Sequence, residues 1–132
     1  MNGHLAIFLG AVSMALTVGL GAFGAHGLEE HLTLLETTRT FETAVRYQAW
    51  HALGLLALGL MTLDPARAHL ARAGGWAFAI GTLCFSGSLY GLALEPSATW
   101  LGPVTPIGGV AFLIGWLSLG CAAWKARPAS AS

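Results

Sequence analysis

The hydrophobic and polar positions of this chain fall into long blocks, with four apolar stretches separated by short polar connections. The stretches cover approximately residues 5–25, 47–63, 73–94 and 103–124, and none of them contains Asp, Glu, Lys or Arg. A helix that crosses a bilayer needs about 20 mostly apolar residues, because it rises only about 1.5 Å per residue. The stretches lack the two-residue alternation of barrel strands. The pattern therefore predicts an all-α protein, a bundle of four transmembrane helices.

The longest polar connection, residues 28–44, predicts a short interfacial helix between the first and second transmembrane helices. Leu28, Leu32 and Leu35 share one helical face, whereas Glu29 and Glu30 point away from it. We expect residues 1–127 to form a single four-helix transmembrane domain and residues 128–132, which are small and polar, to form a disordered tail.

Composition supports a membrane protein and excludes several classes of function. Of the 132 residues, 55% are hydrophobic and 9% are charged, whereas soluble domains carry about 25% charged residues. The net charge is zero and no basic cluster is present, so we expect neither nucleic-acid binding nor a polybasic lipid anchor. The first four residues lack Lys and Arg and the following apolar run is too long for a signal peptide, so we expect the first helix to be retained.

Basic residues near the ends of the apolar stretches predict the orientation. Four lie on the side of the termini and two on the opposite side; they are Arg67, Arg72, Lys125 and Arg127 against Arg39 and Arg46. Cytoplasmic loops carry the excess of Lys and Arg. We therefore expect both termini in the cytoplasm and the polar segments of all four helices in the outer half of the bundle.

Three of the predicted helices carry a seam of small residues at steps of three or four residues. The seams are Gly3, Ala6, Gly10, Ser13, Thr17, Gly21 and Gly24 in the first helix, Gly74, Ala77, Gly81, Cys84, Ser88 and Gly91 in the third, and Thr105, Gly108, Ala111, Gly115, Ser118 and Ala122 in the fourth. Small side chains let helices approach closely where lipid competes for apolar contacts. The seams predict a tightly packed bundle.

A second face of the third helix carries hydroxyl groups at a spacing of four, on Thr82, Ser86 and Tyr90. This face lies nearly opposite the small-residue seam. Either it faces lipid and its hydroxyl groups bond their own helix, or it is packed as well. The second alternative predicts a homo-oligomer, since four helices alone offer little surface to cover it.

Polar residues in the apolar stretches form the candidate ligand-binding set, namely His26, Gln48, His51, Ser86, Tyr90 and Thr105. Gln48 and His51 are three residues apart and share a helix face. Polar side chains in hydrocarbon are costly unless paired, so we expect members of this set to bond one another or carbonyls near Pro106. A purely structural hydrogen-bond network is the alternative. Metal binding is not predicted, because two histidines without Cys or carboxylate at ligand spacing support it weakly.

Arg46 is expected to anchor the second helix at the membrane interface. Glu42 lies four residues earlier on the same helix face, where it would form an exposed ion pair with Arg46. A lipid phosphate is the other expected partner.

No enzymatic signature is present, and we expect neither catalysis nor a cofactor. The sequence lacks HExxH, GxSxG and P-loop motifs. No apolar stretch contains a carboxylate. Small proton-coupled exporters of this length normally keep a buried carboxylate as their coupling group.

Several of these segments resemble the small bacterial membrane proteins catalogued as domain of unknown function 423. The matching motifs are Gly-Ala-Phe-Gly-Ala-His-Gly-Leu at 21–28, Phe41, Tyr47-Gln48 with His51-Ala-Leu at 51–53, Phe-Ser-Gly-Ser-Leu-Tyr at 85–90, Thr-Pro-Ile-Gly-Gly at 105–109 and Gly115-Trp116. A related small transmembrane family occurs in eukaryotes. The resemblance implies a four-helix protein of the bacterial inner membrane. It implies no activity, so no catalytic residue is carried over.

The favoured hypothesis is a non-enzymatic integral membrane protein that binds a lipid, a small ligand or a partner membrane protein at the polar set. A small oligomeric channel or transporter is one alternative, although it would need a polar path through the plainer cytoplasmic halves of the helices. An accessory subunit of a larger membrane complex is another, and it would bury an outward apolar face against a second protein.

Overall fold

The computed structural model describes residues 1–62 and 68–125, which form helices joined by turns. The six α-helices are α1 (Gly3–His26), α2 (Glu29–Leu34), α3 (Thr38–Met61), α4 (Ala68–Gly81), α5 (Gly87–Leu94) and α6 (Val104–Lys125). A π-helical turn, Thr82–Ser86, joins α4 to α5, and a 3-10 turn, Thr99–Leu101, precedes α6. The prediction of an all-α protein is confirmed for this part of the chain. Residue 63, Arg67, Arg127 and the tail 128–132 lie outside the described residues.

Within residues 1–62 and 68–125, three helical segments are long and apolar enough to cross a membrane: Gly3–His26, His69–Leu94 and Thr99–Lys125. The helix α3 has 24 residues, the same length as α1, but the polar residues Arg46, Gln48 and His51 lie between its first turn and its middle. On length and composition together, α3 is therefore not one of the three candidate membrane spans. The fourth span therefore stays a prediction, as does the interfacial position of α2.

The helices α1 and α3 pack antiparallel along their whole length. Gly10 lies against Ala52 and Leu56, and near the other end of the pair Gly24 lies against the ring of Phe41. A Cβ atom on Gly24 would come within 2.8 Å of that ring, so only a residue without a side chain permits this approach. The small-residue seam predicted for the first helix is confirmed as the surface that contacts α3.

The seams of α4–α5 and α6 likewise face each other. The ring of Phe78 lies over Gly115, and the backbone of Phe85 lies against Gly108. Closer to the start of α6, the hydroxyl groups of Ser88 and Thr105 are 2.7 Å apart. The main core lies where α3, α4 and α6 meet, and its members include Leu55, Leu58, Phe78 and Phe112.

The second face of α4–α5 is covered in part by the same chain. Ser86 is only 1% exposed, and Tyr90 donates a hydrogen bond to Gln48 of α3. Of the two alternatives, the one in which this face points to lipid is therefore wrong for Ser86, because α3 packs on one side of this helical segment while α6 packs on the other. Two-sided packing needs no second copy of the chain, and the oligomeric state stays a prediction.

The connection between α1 and α3 is held against the end of α5. Leu32 of α2 is 1% exposed and clusters with Phe41 and Ala93. After α2 the chain reverses at Glu36, whose φ of 56° lies in the left-handed region. The hydroxyl group of Thr37 then donates to the Ala93 carbonyl oxygen at 2.7 Å. These contacts position α2 as a cover over one end of the bundle.

Candidate functional site

Gln48 joins three helices through its side-chain amide. Its Nε2 donates to the carbonyl oxygen of Ser13 in α1 at 3.0 Å, and its Oε1 accepts from the hydroxyl group of Tyr90 in α5 at 2.8 Å. The side chain is 5% exposed. Ser13 is ten residues into α1, which corresponds to a distance of about 15 Å along the helix axis. The amide therefore lies close to the middle of α1 and not at either end.

Two buried hydroxyl groups beside this amide have no hydrogen-bond partner among the described residues: Ser13 Oγ and Ser86 Oγ. Serines within membrane helices commonly bond the carbonyl four residues back, and buried polar groups are nearly always paired. Ser86 is the last residue of the π-helical turn. Such turns inside α-helices frequently occur at functional sites.

These four side chains line one cavity, which we call the hydroxyl groove: Ser13, Gln48, Ser86 and Tyr90, with apolar walls. The walls come mainly from Leu9, Leu16, Leu20, Leu55, Trp76 and Leu83. Its volume is about 440 Å³, within the range of about 300–1,000 Å³ typical of small-molecule sites. None of the described residues that line it is charged. The groove thus combines neutral hydrogen-bonding groups with a wide apolar opening.

His51 faces a different neighbour from Gln48. Its Nδ1 lies 2.6 Å from the carbonyl oxygen of Tyr47 on the same helix. Its ring stacks on Phe112 of α6, with 3.3 Å between ring centroids and 7° between planes, and meets Trp116 edge-on at 5.9 Å. Of the pairings expected within the polar set, Gln48 bonds Tyr90, whereas His51 bonds the Tyr47 carbonyl oxygen and not another member of the set.

His51 lines a second cavity, the aromatic groove, between α3 and α6. Its aromatic members are Tyr47, Trp50, Phe112 and Trp116, and its volume is about 440 Å³. Leu53, Gly109 and Leu113 complete the lining. The hydroxyl and aromatic grooves therefore use neighbouring residues of α3, Gln48 and Tyr47, on different faces.

The remaining predicted site residues lie elsewhere. Thr105 pairs with Ser88 between α5 and α6, and His26 is exposed at the C-terminal end of α1. Glu42 and Arg46 are both exposed and line a third groove of about 530 Å³ beside α1. In the part of the chain that the structure describes, no ion pair links them. The lipid phosphate remains the predicted partner of Arg46.

Sequence reasoning missed two features of the hydroxyl groove. Ser13 belongs to the predicted seam of α1, so its place at a helix interface was visible but its role as the acceptor for Gln48 was not. The π-helical turn has no evident signal in the sequence. Among residues 1–62 and 68–125, no three His, Cys, Asp or Glu side chains lie together in an arrangement that would hold a metal ion.

Comparison with known proteins shows that the chain is similar in sequence to one family of membrane proteins. Residues 20–109 match a family model described as "Protein of unknown function (DUF423)". A UPF0382 membrane protein of Staphylococcus epidermidis is 46% identical over 119 residues, which cover 90% of this chain and 94% of that protein. The UPF0382 membrane protein YwdK of Bacillus subtilis is 41% identical over 119 residues, covering 90% and 95%. The UPF0382 inner membrane protein YgdD of Escherichia coli is 38% identical over 122 residues, covering 88% and 86%. No solved structure matches.

Proposed function

The chain belongs to the DUF423 family of membrane proteins, and we propose that it is a non-enzymatic protein that binds an uncharged amphiphilic molecule in the hydroxyl groove. The ligand carries a hydroxyl or carbonyl group, which meets Ser13 and Ser86, and an apolar tail, which lies along the leucine-rich walls. The family description names no activity, so the proposal rests on the residues of this chain.

The observation that carries the proposal is the pair of buried hydroxyl groups without partners, Ser13 Oγ and Ser86 Oγ. Leaving one buried polar group unpaired costs about 1–3 kcal/mol. Both oxygen atoms are enclosed on residues that line the groove, so a turn of either side chain toward the groove would let a bound hydroxyl or carbonyl group supply the missing hydrogen bond. Tyr90 and Gln48 hold each other in place, so the polar side of the groove is ordered before any ligand arrives, which lowers the entropic cost of binding.

The polar lining also limits the chemistry of the ligand. Its polar members are all neutral, namely Ser13, Gln48, Thr82, Ser86 and Tyr90, and none of the described lining residues is charged. A phosphate or ammonium group this far from the ends of α1 would lose its hydration without gaining a counter-charge. The favoured class is therefore an uncharged lipid, such as a diacylglycerol or a long-chain alcohol.

We further propose that α3 is the fourth span and that α2 lies at the interface. The two polar side chains in the middle of α3, Gln48 and His51, are 5% and 4% exposed. Both have hydrogen bonds, which offsets much of their cost in hydrocarbon. The helix is also as long as α1. With four spans and the basic residues Arg72 and Lys125 near one side, both termini lie in the cytoplasm. The name of the Escherichia coli relative supports location in the bacterial inner membrane.

The test is the lipid that remains with the purified protein. Protein extracted from membranes in mild detergent is analysed by lipid mass spectrometry, and Ser86→Ala is compared with Ser88→Ala. Both serines are buried hydroxyl residues on the same helical segment, but Ser88 already has Thr105 as a partner and does not line the groove.

We expect the wild-type protein and Ser88→Ala to retain an uncharged lipid at similar occupancy, and Ser86→Ala to retain several-fold less. Retention of only phospholipids, with no difference between the two variants, would refute binding in the hydroxyl groove.

A further inference from the structure

The aromatic groove contains a hydrogen-bond acceptor, on the buried residue His51, that the proposed function does not use. His51 Nδ1 lies 2.6 Å from a carbonyl oxygen, and because a carbonyl only accepts, Nδ1 must carry the proton. In the neutral ring the other nitrogen, Nε2, then holds a lone pair. No carboxylate among the described residues lines the groove, so no counter-charge there stabilises the imidazolium form.

This lone pair has no partner in residues 1–62 and 68–125. The only hydrogen bond of His51 runs from Nδ1 back to its own helix, which turns the opposite edge of the ring, with Nε2, away from the α3 backbone. The side chain is 4% exposed and lines the groove. An acceptor that meets hydrocarbon without a donor is costly, and a bilayer core offers no water to satisfy it.

The walls of the groove define what shape of molecule fits. Tyr47, Trp50, Phe112 and Trp116 present aromatic surfaces, which favour stacked or edge-on contacts with another flat ring. Gly109 leaves space, because a Cβ atom there would meet only the Phe85 ring, at 3.8 Å. The volume of about 440 Å³ is ordinary for a small-molecule site.

We infer that the aromatic groove binds the head of a membrane-dissolved phenol or hydroquinone. The flat ring of the ligand packs among the four aromatic side chains, its hydroxyl group donates to His51 Nε2, and its apolar tail runs past Leu53 and Leu113, which are 55% and 64% exposed, into lipid. The site is independent of the hydroxyl groove and requires only that α3 lies in the bilayer.

Three probes separate the features of this ligand: para-octylphenol, its methyl ether and 1-dodecanol. The ether keeps the ring without the donor, and the alcohol keeps the donor without the ring. Each is titrated into full-length protein in lipid nanodiscs with ¹⁵N-labelled histidine. Affinity and the Nε2 resonance of His51 are followed by NMR.

We expect the phenol to bind at least tenfold more tightly than either other probe, a difference of about 1.4 kcal/mol, and to move the Nε2 resonance toward a hydrogen-bonded position. Equal affinity for the phenol and its ether, an unmoved Nε2 resonance, or no saturable binding of the phenol would overturn the inference.

Two variants test the same site by different routes. His51→Phe keeps a stacked ring and removes the acceptor, whereas Gly109→Leu keeps His51 and fills the groove. Both should weaken phenol binding at least tenfold, and Ser86→Ala, which changes only the hydroxyl groove, should not. If His51→Phe fails to fold, Gly109→Leu together with the Nε2 resonance decides the outcome. Undiminished binding in Gly109→Leu would overturn the inference.

Discussion

Gly108→Ala tests whether α6 packs on the π-helical turn as the structure describes. A Cβ atom on residue 108 would lie 2.8 Å from the Cα and Cβ atoms of Phe85 and closer still to its backbone nitrogen. Backbone atoms cannot rotate away as a flexible side chain can, so the two helices must separate. Such a shift also stretches the 2.7 Å contact between Ser88 and Thr105, which lies one turn along the same interface.

The expected magnitude follows from three contributions. Alanine is favoured over glycine within a helix by about 1 kcal/mol. Overpacking a tight interface costs about 1–3 kcal/mol. Loss of a hydrogen bond between membrane helices costs about 0.6 kcal/mol on average and up to about 1.7 kcal/mol. We expect Gly108→Ala to lower the free energy of unfolding by about 1–3 kcal/mol.

The matched control is Gly120→Ala on the same helix, where a new Cβ atom would meet nothing within 4 Å. This variant should be neutral or more stable by up to about 1 kcal/mol, because only the helix propensity changes. The assay is unfolding by SDS in mixed micelles, followed by circular dichroism and tryptophan fluorescence. Equal stability of the Gly108→Ala and Gly120→Ala proteins would refute the close packing at Phe85.

Three further predictions concern single contacts. In a double-mutant cycle of Gln48→Leu and Tyr90→Phe, we expect a coupling energy of about 0.6–1.7 kcal/mol in the same unfolding assay. A coupling energy near zero would mean that the 2.8 Å hydrogen bond between Tyr90 and Gln48 is not formed in the membrane. Thr37→Val removes the side-chain hydrogen bond to the end of α5. Amide hydrogen exchange in residues 29–34 should then become faster, while global stability changes little. Unchanged exchange rates would contradict the role of this hydrogen bond. Hydrogen bonds from Ser97 and, to a smaller extent, electrostatic attraction to His31 lower the pKa of the Glu95 carboxyl group below its ordinary value of 4.5. The stability from this carboxylate is therefore present above pH 4.5 and lost as the pH falls toward the lowered pKa. The difference in free energy of unfolding between the wild-type protein and Glu95→Gln should shrink over that interval. A difference in stability that does not depend on pH would contradict this role of Glu95.

The packing interfaces could be predicted from sequence because they depend on small residues at regular spacing. Gly24 lies against Phe41 and Gly115 against Phe78, as the seams of the first and fourth helices predicted. The spacing of the small residues indicates which face of a helix contacts a neighbouring helix, because helices in lipid associate through such faces.

The candidate site was only partly predictable. Gln48 and His51 are three residues apart, about 60° around the helix, and spacing alone indicated a shared cluster. Because α3 has neighbours on several sides, those 60° are enough to place Gln48 against α1 and α5 while His51 stacks on α6. The burial of Ser86 depends on the tertiary packing of a π-helical turn, which residue spacing does not encode.

The most direct measurement is a high-resolution structure of the protein extracted together with its native lipids. We predict non-protein density in the hydroxyl groove, with a polar atom within about 3.2 Å of Ser86 Oγ and a tail along Leu9 and Leu16. An unoccupied groove in which the hydroxyl groups of Ser13 and Ser86 both bond carbonyl groups of their own helices would contradict ligand binding at this site.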